Sequence, residues 1–415
     1  MLEKQLRRNV IFNTLGSLLF YICQSAITIL VLALAGAETN GLLATAMTIS
    51  NVVISAAGFG MRTFQVSDLQ YHYTDRTYLV SRYATMLFSF SGCCLFVMLN
   101  SYSPEQSWII LLYTAYRLIE SWSDVWHGYL QKAERMDIVG ISFGVRGLLT
   151  LVILVIGLLF TNNLIPILLV LLIGNAVYVL IVDIPFARKS ANLVDKTNFP
   201  QLQKLLLECS PLALCAFLNT AVPSIPRYYC ERLLGTTQMG YFSSIFMPVT
   251  ILQVAMIYLF VPFITLFARM WIGKNRIAYY KGILLLFLSL FGLWFIGAVG
   301  ATLFGEWGLK LLYPSTPALL QYTSLLQPLV IATVFTVFSS ILIHLLTIAR
   351  AMKALIFSSL IGCIVAWIIS PLFIEQWKIY GTAYATILGI AVQILVAFIG
   401  LLFKSRVWFS TSNKR

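Results

Sequence analysis

The sequence predicts an all-α membrane protein with about 12 transmembrane helices, at about 20 apolar residues for each crossing. Of its 415 residues, 60% are hydrophobic and only 10% are charged. Soluble domains average about 45–50% apolar and about 25% charged residues, so both values point to a membrane protein. The mean hydropathy is +0.88. The apolar residues also occur in long runs separated by short polar segments, which is typical of a chain that crosses a bilayer repeatedly.

The apolar runs form two groups, one on each side of the polar segment KSANLVDKTNFPQLQK. The predicted spans are 9–34, 41–64, 79–99, 106–130, 138–160 and 163–186 in the first group, then 205–229, 239–266, 282–304, 318–348, 353–374 and 380–403 in the second. We therefore predict an N-terminal six-helix lobe over 1–190, a cytoplasmic linker over 191–204 and a C-terminal six-helix lobe over 205–415.

The positions of the basic residues predict the orientation. Most of the 28 lysines and arginines lie at the span ends that share one side with the N-terminus. Arg227, Arg232, Lys310 and Lys378 lie on the opposite side, and Arg117 lies within a span. Because cytoplasmic loops carry an excess of Lys and Arg, an even number of spans predicts both termini in the cytoplasm. The net charge of +13 is explained in the same way and does not indicate a nucleic-acid partner.

The two groups of spans also contain similar segments. LAGAETNGLLATAM aligns with LLGTTQMGYFSSIF, which pairs Gly36 with Gly235 and Gly41 with Gly240 at the junction between the first two spans of each group. IGNAVYVLIVDIPFARKS aligns with LGIAVQILVAFIGLLFKS at the end of each group. Parallel repeats about an axis along the membrane normal are a transporter architecture, so the repeat predicts a substrate path between two halves.

Catalysis and cofactor binding have no support in the residue pattern. The seven cysteines lie in or beside apolar runs without metal-binding spacing, and they are interpreted as small hydrophobic residues. The three histidines have no metal spacing, and the chain has no Walker A motif. We expect neither an enzyme nor a cofactor or metal.

Three segments carry a family resemblance: the opening RRNVIFNTLGSLLFY, the glycine-bounded turn before the second span, and PRYYCERLLGTTQMGYFSSIFMP. They resemble the polysaccharide transporter family, the Wzx-like oligosaccharide flippases of the multidrug/oligosaccharidyl-lipid/polysaccharide superfamily. The resemblance implies the MATE-like superfamily fold in a bacterial cytoplasmic membrane. It also implies export of an undecaprenyl-diphosphate-linked oligosaccharide from the inner to the outer leaflet, for capsule, O-antigen or teichoic acid synthesis. Membrane lipids, polymerases and glycosyltransferases are the implied partners. An ion-coupled multidrug or organic-cation antiporter of the same superfamily is the alternative.

Charged residues within the spans are the strongest site candidates, because ionic groups at membrane depth usually face a bundle interior or a wet cavity. Arg117, Glu120 and Asp124 share a face of the fourth span. We expect Arg117 to bind substrate and the two carboxylates to tune it or to bind a coupling ion. A structural Arg–Glu pair that joins helices would give the same pattern.

Arg62, Arg146 and Arg227 complete the predicted cationic path, because the planar guanidinium binds phosphate oxygens in pairs and stays charged. We expect the diphosphate to load on Arg62, Arg117 and Arg146 in a cytoplasm-facing state and to leave past Arg227 as the halves alternate. Pro223 and Pro226 predict a broken seventh helix whose backbone lines a cavity. Positive-inside anchors at Arg62 and Arg146 and a loop arginine at Arg227 are the alternatives.

Polar residues fill the remainder of the predicted path: Asn13 and Gln24 in the first span, Asn51 in the second and Asn219 in the seventh. Such groups also hold membrane helices together through hydrogen bonds, so a structural role is the alternative for each. His344 is a third candidate for ion coupling beside Glu120 and Asp124, with a structural histidine as its alternative.

Overall fold

The structure is a computed structural model that describes residues 2–68, 72–193 and 197–410. All regular secondary structure in these residues is helical. The helices are α1 (Leu2–Gly58), α2 (Met61–Ser67), α3 (Asp75–Leu99), α4 (Pro104–Lys132), α5 (Met136–Phe160), α6 (Leu164–Tyr178), α7 (Ile184–Arg188), α8 (Phe199–Leu234), α9 (Thr236–Ile272), α10 (Arg276–Leu312), α11 (Leu326–Ile348), α12 (Met352–Trp377) and α13 (Ile379–Ser410). A π-helical turn, Val179–Asp183, joins α6 to α7, and a 3-10 segment, Pro317–Leu325, precedes α11.

Nine stretches of the described residues are long and apolar enough to cross a membrane. The first stretch, Arg7–Ser67, contains two predicted spans, and Leu164–Arg188 joins α6, the π turn and α7 into one. The long helix α4 is outside this group, and it carries Arg117, Glu120 and Asp124 within its length. This all-helical arrangement confirms the predicted fold class and is the architecture of a multi-pass membrane protein.

Gly36 divides α1 into two helical segments. Its backbone has φ 86° and ψ 178°, which is not helical. Gly235, at the start of α9, has nearly the same conformation, with φ 85° and ψ 172°. This region of φ/ψ space is essentially restricted to glycine. The two residues that the sequence alignment pairs therefore make the same turn between consecutive spans.

The chain forms two compact units, Met1–Phe217 and Leu218–Arg415, and the division falls within α8. In the first unit α1 packs against α3, α4 and α5, and α4 packs against α6. The contact of α1 with α5 is close because glycines face each other. A Cβ atom on Gly140 would lie 2.2 Å from the Phe12 carbonyl oxygen, and one on Gly16 would lie 1.8 Å from the Gly140 oxygen. These two helices therefore touch backbone to backbone.

In the second unit α11 packs against α9, α10 and α13, and α12 packs along α13. Small residues again allow the closest approach. A Cβ atom on Gly381 would lie 2.1 Å from the Phe373 carbonyl oxygen. Gly389 faces Ala366 across the same pair of helices, with 3.0 Å between the built Cβ and the alanine Cβ.

Two features differ from the sequence prediction. Pro223 and Pro226 do not break the seventh span, since α8 runs without interruption from Phe199 to Leu234. In lipid no water replaces lost backbone hydrogen bonds, so a helix keeps those that remain around a proline. The predicted linker 191–204 is also shorter than expected, because α8 begins at Phe199. Residues 194–196 of that linker lie outside the described residues.

Candidate functional site

A shared carboxylate joins α2, α3 and α4 in the first unit. Asp124 of α4 accepts a hydrogen bond from Arg62 at 2.5 Å through one oxygen and from Arg82 at 3.2 Å through the other. Arg62 also donates two hydrogen bonds to the side-chain oxygen of Gln131, at 3.2 and 3.1 Å. Two guanidinium groups thus face one carboxylate, which leaves one positive charge in excess at this cluster.

Arg82 is the inner member of this cluster, and sequence reasoning assigned it only to a span end. Its side chain is fully buried, whereas 25% of the Arg62 side chain is exposed. It donates to the carbonyl oxygens of Ala57 and Gly58, at 2.9 and 3.0 Å, and to Ser121 at 3.1 Å. These carbonyls end α1 and have no helical partner of their own. Arg82 therefore binds both the end of α1 and Asp124, the acid that also binds Arg62.

Arg117 and Glu120 form a second ion pair one to two turns earlier in α4. A guanidinium nitrogen lies 2.6 Å from the carboxylate, and the two side chains are 19% and 16% exposed. Glu120 also accepts a hydrogen bond at 3.3 Å from the Tyr116 hydroxyl, which in turn accepts from Gln24 of α1 at 3.4 Å. The Arg117 Nε atom is buried and has no hydrogen-bond partner among the described residues.

Arg146 lies in the core of the first unit, with 2% of its surface exposed. Its Nε atom is 3.5 Å from the side-chain oxygen of Asn175 in α6, which is the long limit for a hydrogen bond. One of its terminal nitrogens has no partner among the described residues. The structure therefore places Arg146 inside the helix packing of this unit and not at its surface.

Arg227 is the predicted arginine of the second unit. Its guanidinium lies over the Phe246 ring of α9, 4.2 Å from the ring centroid. No ion pair to Arg227 is found in the described part of the chain, and its buried Nε atom has no hydrogen-bond partner there. The next residue, Tyr228, stacks on Trp367 of α12 with 6.3 Å between ring centroids and 12° between planes. Arg227 is thus a cation held by an aromatic ring instead of an acid.

The remaining predicted polar residues separate into two groups. Asn219 accepts hydrogen bonds at 2.8 Å from Ser359 of α12 and at 2.5 Å from Gln393 of α13, so it joins three helices of the second unit. Asn13 and Asn51 lie on α1, half-buried and exposed respectively, and His344 is exposed on α11. The structure records no side-chain hydrogen bond for these three among the described residues.

A polar cavity of about 630 Å³ lies outside the predicted site, next to the loop between α2 and α3. Its lining residues are Phe64, Ser67, Asp68, His72, Tyr73, Tyr78, Gln201, Lys204 and Glu208. Although burial favours the protonated acid, hydrogen bonds from the His72 and Tyr73 N–H groups and from the Tyr78 hydroxyl hold the pKa of Asp68 below its usual range. Burial, together with the neighbouring Glu208 carboxylate, raises the pKa of Tyr73 to about 12.

The arginines of the candidate site outnumber the acids that pair with them. No cluster of three or more potential metal ligands occurs in residues 2–68, 72–193 and 197–410. In the first unit Arg62 and Arg82 share Asp124 and Arg117 pairs with Glu120, so the arginines of these two clusters exceed the acids by one. Sequence reasoning missed Arg82 because its partners are distant in the chain and only folding reveals them.

The sequence is similar to a curated protein over part of its length. No family model matches the chain. A stretch of 138 residues is 31% identical to the capsular polysaccharide biosynthesis protein CapF of Staphylococcus aureus. This stretch covers 33% of this chain and 35% of CapF. The chain thus matches about a third of the length of its curated relative.

Several solved structures match along nearly the whole chain. An inward-facing multidrug resistance MATE family transporter of the MOP superfamily gives a TM-score of 0.71 at 13% identity, covering 98% of this chain and 99% of that one. The inward closed conformation of the lipid II flippase MurJ gives a TM-score of 0.68 at 14% identity, covering 95% and 90%. This chain therefore has the fold of the MATE and MOP-superfamily transporters.

Proposed function

We propose that this protein is a flippase that moves an undecaprenyl-diphosphate-linked oligosaccharide from the inner to the outer leaflet of a bacterial cytoplasmic membrane. The glycan would serve a surface polysaccharide such as a capsule, an O-antigen or a teichoic acid. Both termini lie in the cytoplasm in this proposal, and the enzymes that make and polymerise the glycan are its partners. The fold, which is similar to that of a lipid II flippase, and the short match to a capsular polysaccharide protein support it.

The observation that carries the proposal is a pair of partly exposed arginines, in α4 and α8, that each have a donor group without a partner among the described residues. Arg117 and Arg227 each have a buried Nε atom without a partner in the described chain. A buried donor that stays unpaired costs about 1–3 kcal/mol, and more when it is charged. A diphosphate supplies several anionic oxygens at the spacing that guanidinium groups bind in pairs, so substrate binding would remove this cost.

The charges also separate the flippase from the antiporter of organic cations. An excess of acidic groups would favour the binding of a cation. Here each carboxylate of the candidate site already has an arginine beside it, since Asp124 lies between Arg62 and Arg82 and Glu120 is paired with Arg117. In the second unit, Arg227 is a cation that lies over an aromatic ring and has no ion pair among the described residues. The site therefore favours an anionic substrate, and we prefer the flippase.

Arg227 has the most direct test because no acid holds it. The full chain is reconstituted in liposomes that carry a fluorescent polyprenyl-diphosphate oligosaccharide in one leaflet, and transfer is scored with an impermeant quencher. We expect transfer well above that of empty liposomes. A hydrogen bond to a charged group contributes about 1.5–3 kcal/mol, so Arg227→Ala should slow transfer by about tenfold or more. Arg227→Lys should be intermediate, because it keeps the charge without the paired donors.

Arg276→Ala is the matched control. Arg276 also lies over an aromatic ring, with its guanidinium 5.9 Å from the Tyr280 centroid, but it stands at the start of α10 and outside the candidate site. This variant should transfer the probe at the rate of the unmodified chain. If the probe does not move and an organic cation moves instead against an ion gradient, the antiporter is the better assignment. Equal losses in both alanine variants would remove Arg227 from the site.

A further inference from the structure

A buried polar stripe runs along α5 in the core of the first unit. Ser142, Arg146 and Thr150 follow one another at four-residue spacing, which places them on one face of the helix. They are 1%, 2% and 1% exposed. Helices that span lipid have little reason to bury polar groups unless these groups bind one another or serve a function. The groups that face the stripe are therefore informative.

One end of the stripe holds a carboxylate and an imidazole that no other part of the site uses. Asp183 ends the π turn and is fully buried. It accepts a hydrogen bond at 2.5 Å from Ser123 of α4 and one at 2.7 Å from Ser142 of α5. His127 of α4 is 1% exposed, and its Nε2 atom lies 3.4 Å from the same carboxylate. Three helical segments thus converge on one acid.

The hydrogen positions follow from these contacts. Each serine has one O–H group, and both donate it to Asp183, which can only accept when ionised. The serine oxygens lie 3.2 and 3.3 Å from His127 Nε2, so they can only accept from it. His127 Nε2 therefore carries a hydrogen. The other ring nitrogen, Nδ1, has no hydrogen bond among the described residues, so it is the position where a second proton can bind. In a hydrolytic triad the serine and the carboxylate contact opposite nitrogens of the imidazole. Here both serines and Asp183 lie next to Nε2, so the arrangement differs from a triad.

Few other charged or titratable groups face this pair. From α6, Tyr178 lies in electrostatic contact with Asp183 and Arg146, and its side chain hydrogen-bonds with Ser142. From α5, Arg146 lies one turn beyond Ser142. From α1, the Phe20 ring packs on Phe143, which covers the imidazole at 5.2 Å between centroids. With a neutral imidazole the charges of Arg146 and Asp183 cancel, so one added proton changes the net charge of this buried core from zero to plus one.

We propose that His127, paired with Asp183, is a binding site for a proton, and that this proton is the coupling ion of the transporter. The second half of this inference rests on the proposed function. The proton binds His127 Nδ1 and forms an imidazolium that Asp183 stabilises. Protonation strengthens the attraction between α4 and the π turn, and deprotonation weakens it. Because the pair is buried, the proton exchanges only when these helices part, which couples proton exchange to helix movement.

The proton site has a test that requires no transport. The chain has only three histidines, His72, His127 and His344, so ¹⁵N-histidine labelling of the full chain in nanodiscs gives few ring resonances. His127→Gln keeps an N–H donor near the Nε2 position but cannot bind the proton, and it identifies the resonance by its loss. We expect this resonance to shift reversibly when the pH is varied from about 5 to 9, because the imidazole gains and loses the proton at Nδ1. Asp183→Asn should move the midpoint to lower pH.

A resonance that stays constant across this range overturns the proton site. The matched control is His344→Gln, which removes the other histidine of a membrane-spanning helix and should leave the His127 titration unchanged. Ser123→Ala keeps both titratable groups and shows the titration independently if His127→Gln folds poorly.

The coupling test uses the same liposomes and fluorescent polyprenyl-diphosphate oligosaccharide as above, with a pH gradient. The rate should change by up to about tenfold per pH unit around the His127 midpoint, as for a single proton. His127→Gln should abolish this dependence and retain downhill transfer, and His344→Gln should keep it. Unchanged pH dependence in His127→Gln, or dependence on a sodium gradient alone, overturns the coupling. A titrating His127 in a protein that transfers no oligosaccharide contradicts the proposed function and leaves the proton site in place.

Discussion

Replacing Asp124 with asparagine tests the arginine cluster most directly, because the change keeps the shape of the side chain and removes its charge. Arg82 is fully buried, and the carboxylate is the single acid that contacts it in the described chain. Removing one partner of a buried ion pair costs about 3–5 kcal/mol. The Asp124 side chain is 31% exposed, and an amide oxygen still accepts from Arg82, so we expect a loss of about 2–3 kcal/mol in the free energy of unfolding.

The assay is reversible unfolding of the purified chain in mixed micelles, with Glu306→Gln as the matched control. Glu306 and Lys310 also form an ion pair, at 2.6 Å, but both side chains are more than half exposed. This variant should match the unmodified chain, because exposed ion pairs contribute little. In an Arg82→Met background, Asp124→Asn should also have a small effect, since the buried cation is gone. A loss in Asp124→Asn no larger than that in Glu306→Gln would refute this reasoning.

Three further sets of substitutions have defined outcomes in the same unfolding assay. Gly140→Ala should lower the free energy of unfolding by about 3 kcal/mol, because the new Cβ would lie 2.2 Å from a backbone oxygen of α1. Gly92→Ala is the control, because open space surrounds this glycine, and it should raise the free energy of unfolding by up to about 1 kcal/mol. Gly36→Ala and Gly235→Ala should each lose about 1–3 kcal/mol through backbone strain alone, since nothing lies within 4 Å of either built Cβ. The lowered pKa of Asp68 stabilises the fold at pH values above the unfolded-state pKa, and this stabilisation is lost as the pH falls through the folded-state pKa. Asp68→Asn removes the carboxyl group, so the free energy of unfolding should fall less between neutral and acid pH than it does in the unmodified chain.

Each of these changes has a result that would contradict its reasoning. Equal effects of alanine at positions 140 and 92 would mean that α1 and α5 are not in backbone contact. A stabilising alanine at position 36 or 235 would mean that the turn between spans is not fixed by glycine. If Asp68→Asn and the unmodified chain differ by the same amount at neutral pH and at about pH 3, then the hydrogen bonds to the carboxylate do not stabilise its ionised form.

The helices could be predicted from the sequence because lipid imposes a simple rule. A segment must be apolar and long enough to cross, and the predicted spans lie within the observed helices with few exceptions. The structure extends most of them, as with 282–304, which becomes Arg276–Leu312. The glycine pair also followed from sequence, because Gly36 and Gly235 stand at equivalent junctions and both adopt a conformation that other residues avoid.

The site could be predicted only in outline. Charge inside a span identified Arg117, Glu120 and Asp124, but the neighbours of Asp124 are Arg62 and Arg82, 62 and 42 positions away in the chain. Helical spacing reports which residues share a face and says nothing about the side chains that another helix brings to it. Asp183 and His127 were missed for the same reason, since the side chains that meet at Asp183 come from different helices.

The π turn between α6 and α7 determines which changes in length this helix tolerates. Its hydrogen bonds join residues five apart, so Val179–Asp183 is equivalent to an α-helix into which one residue has been inserted. Deleting the exposed Leu180 would leave Tyr178 and Asp183 four positions apart, which is the spacing of neighbours on one face of an α-helix. Deleting Leu169 instead, which is similarly exposed, would rotate every later side chain of the helix by about 100°. Close relatives of this chain should therefore lose or gain a single residue at the π turn and nowhere else along α6.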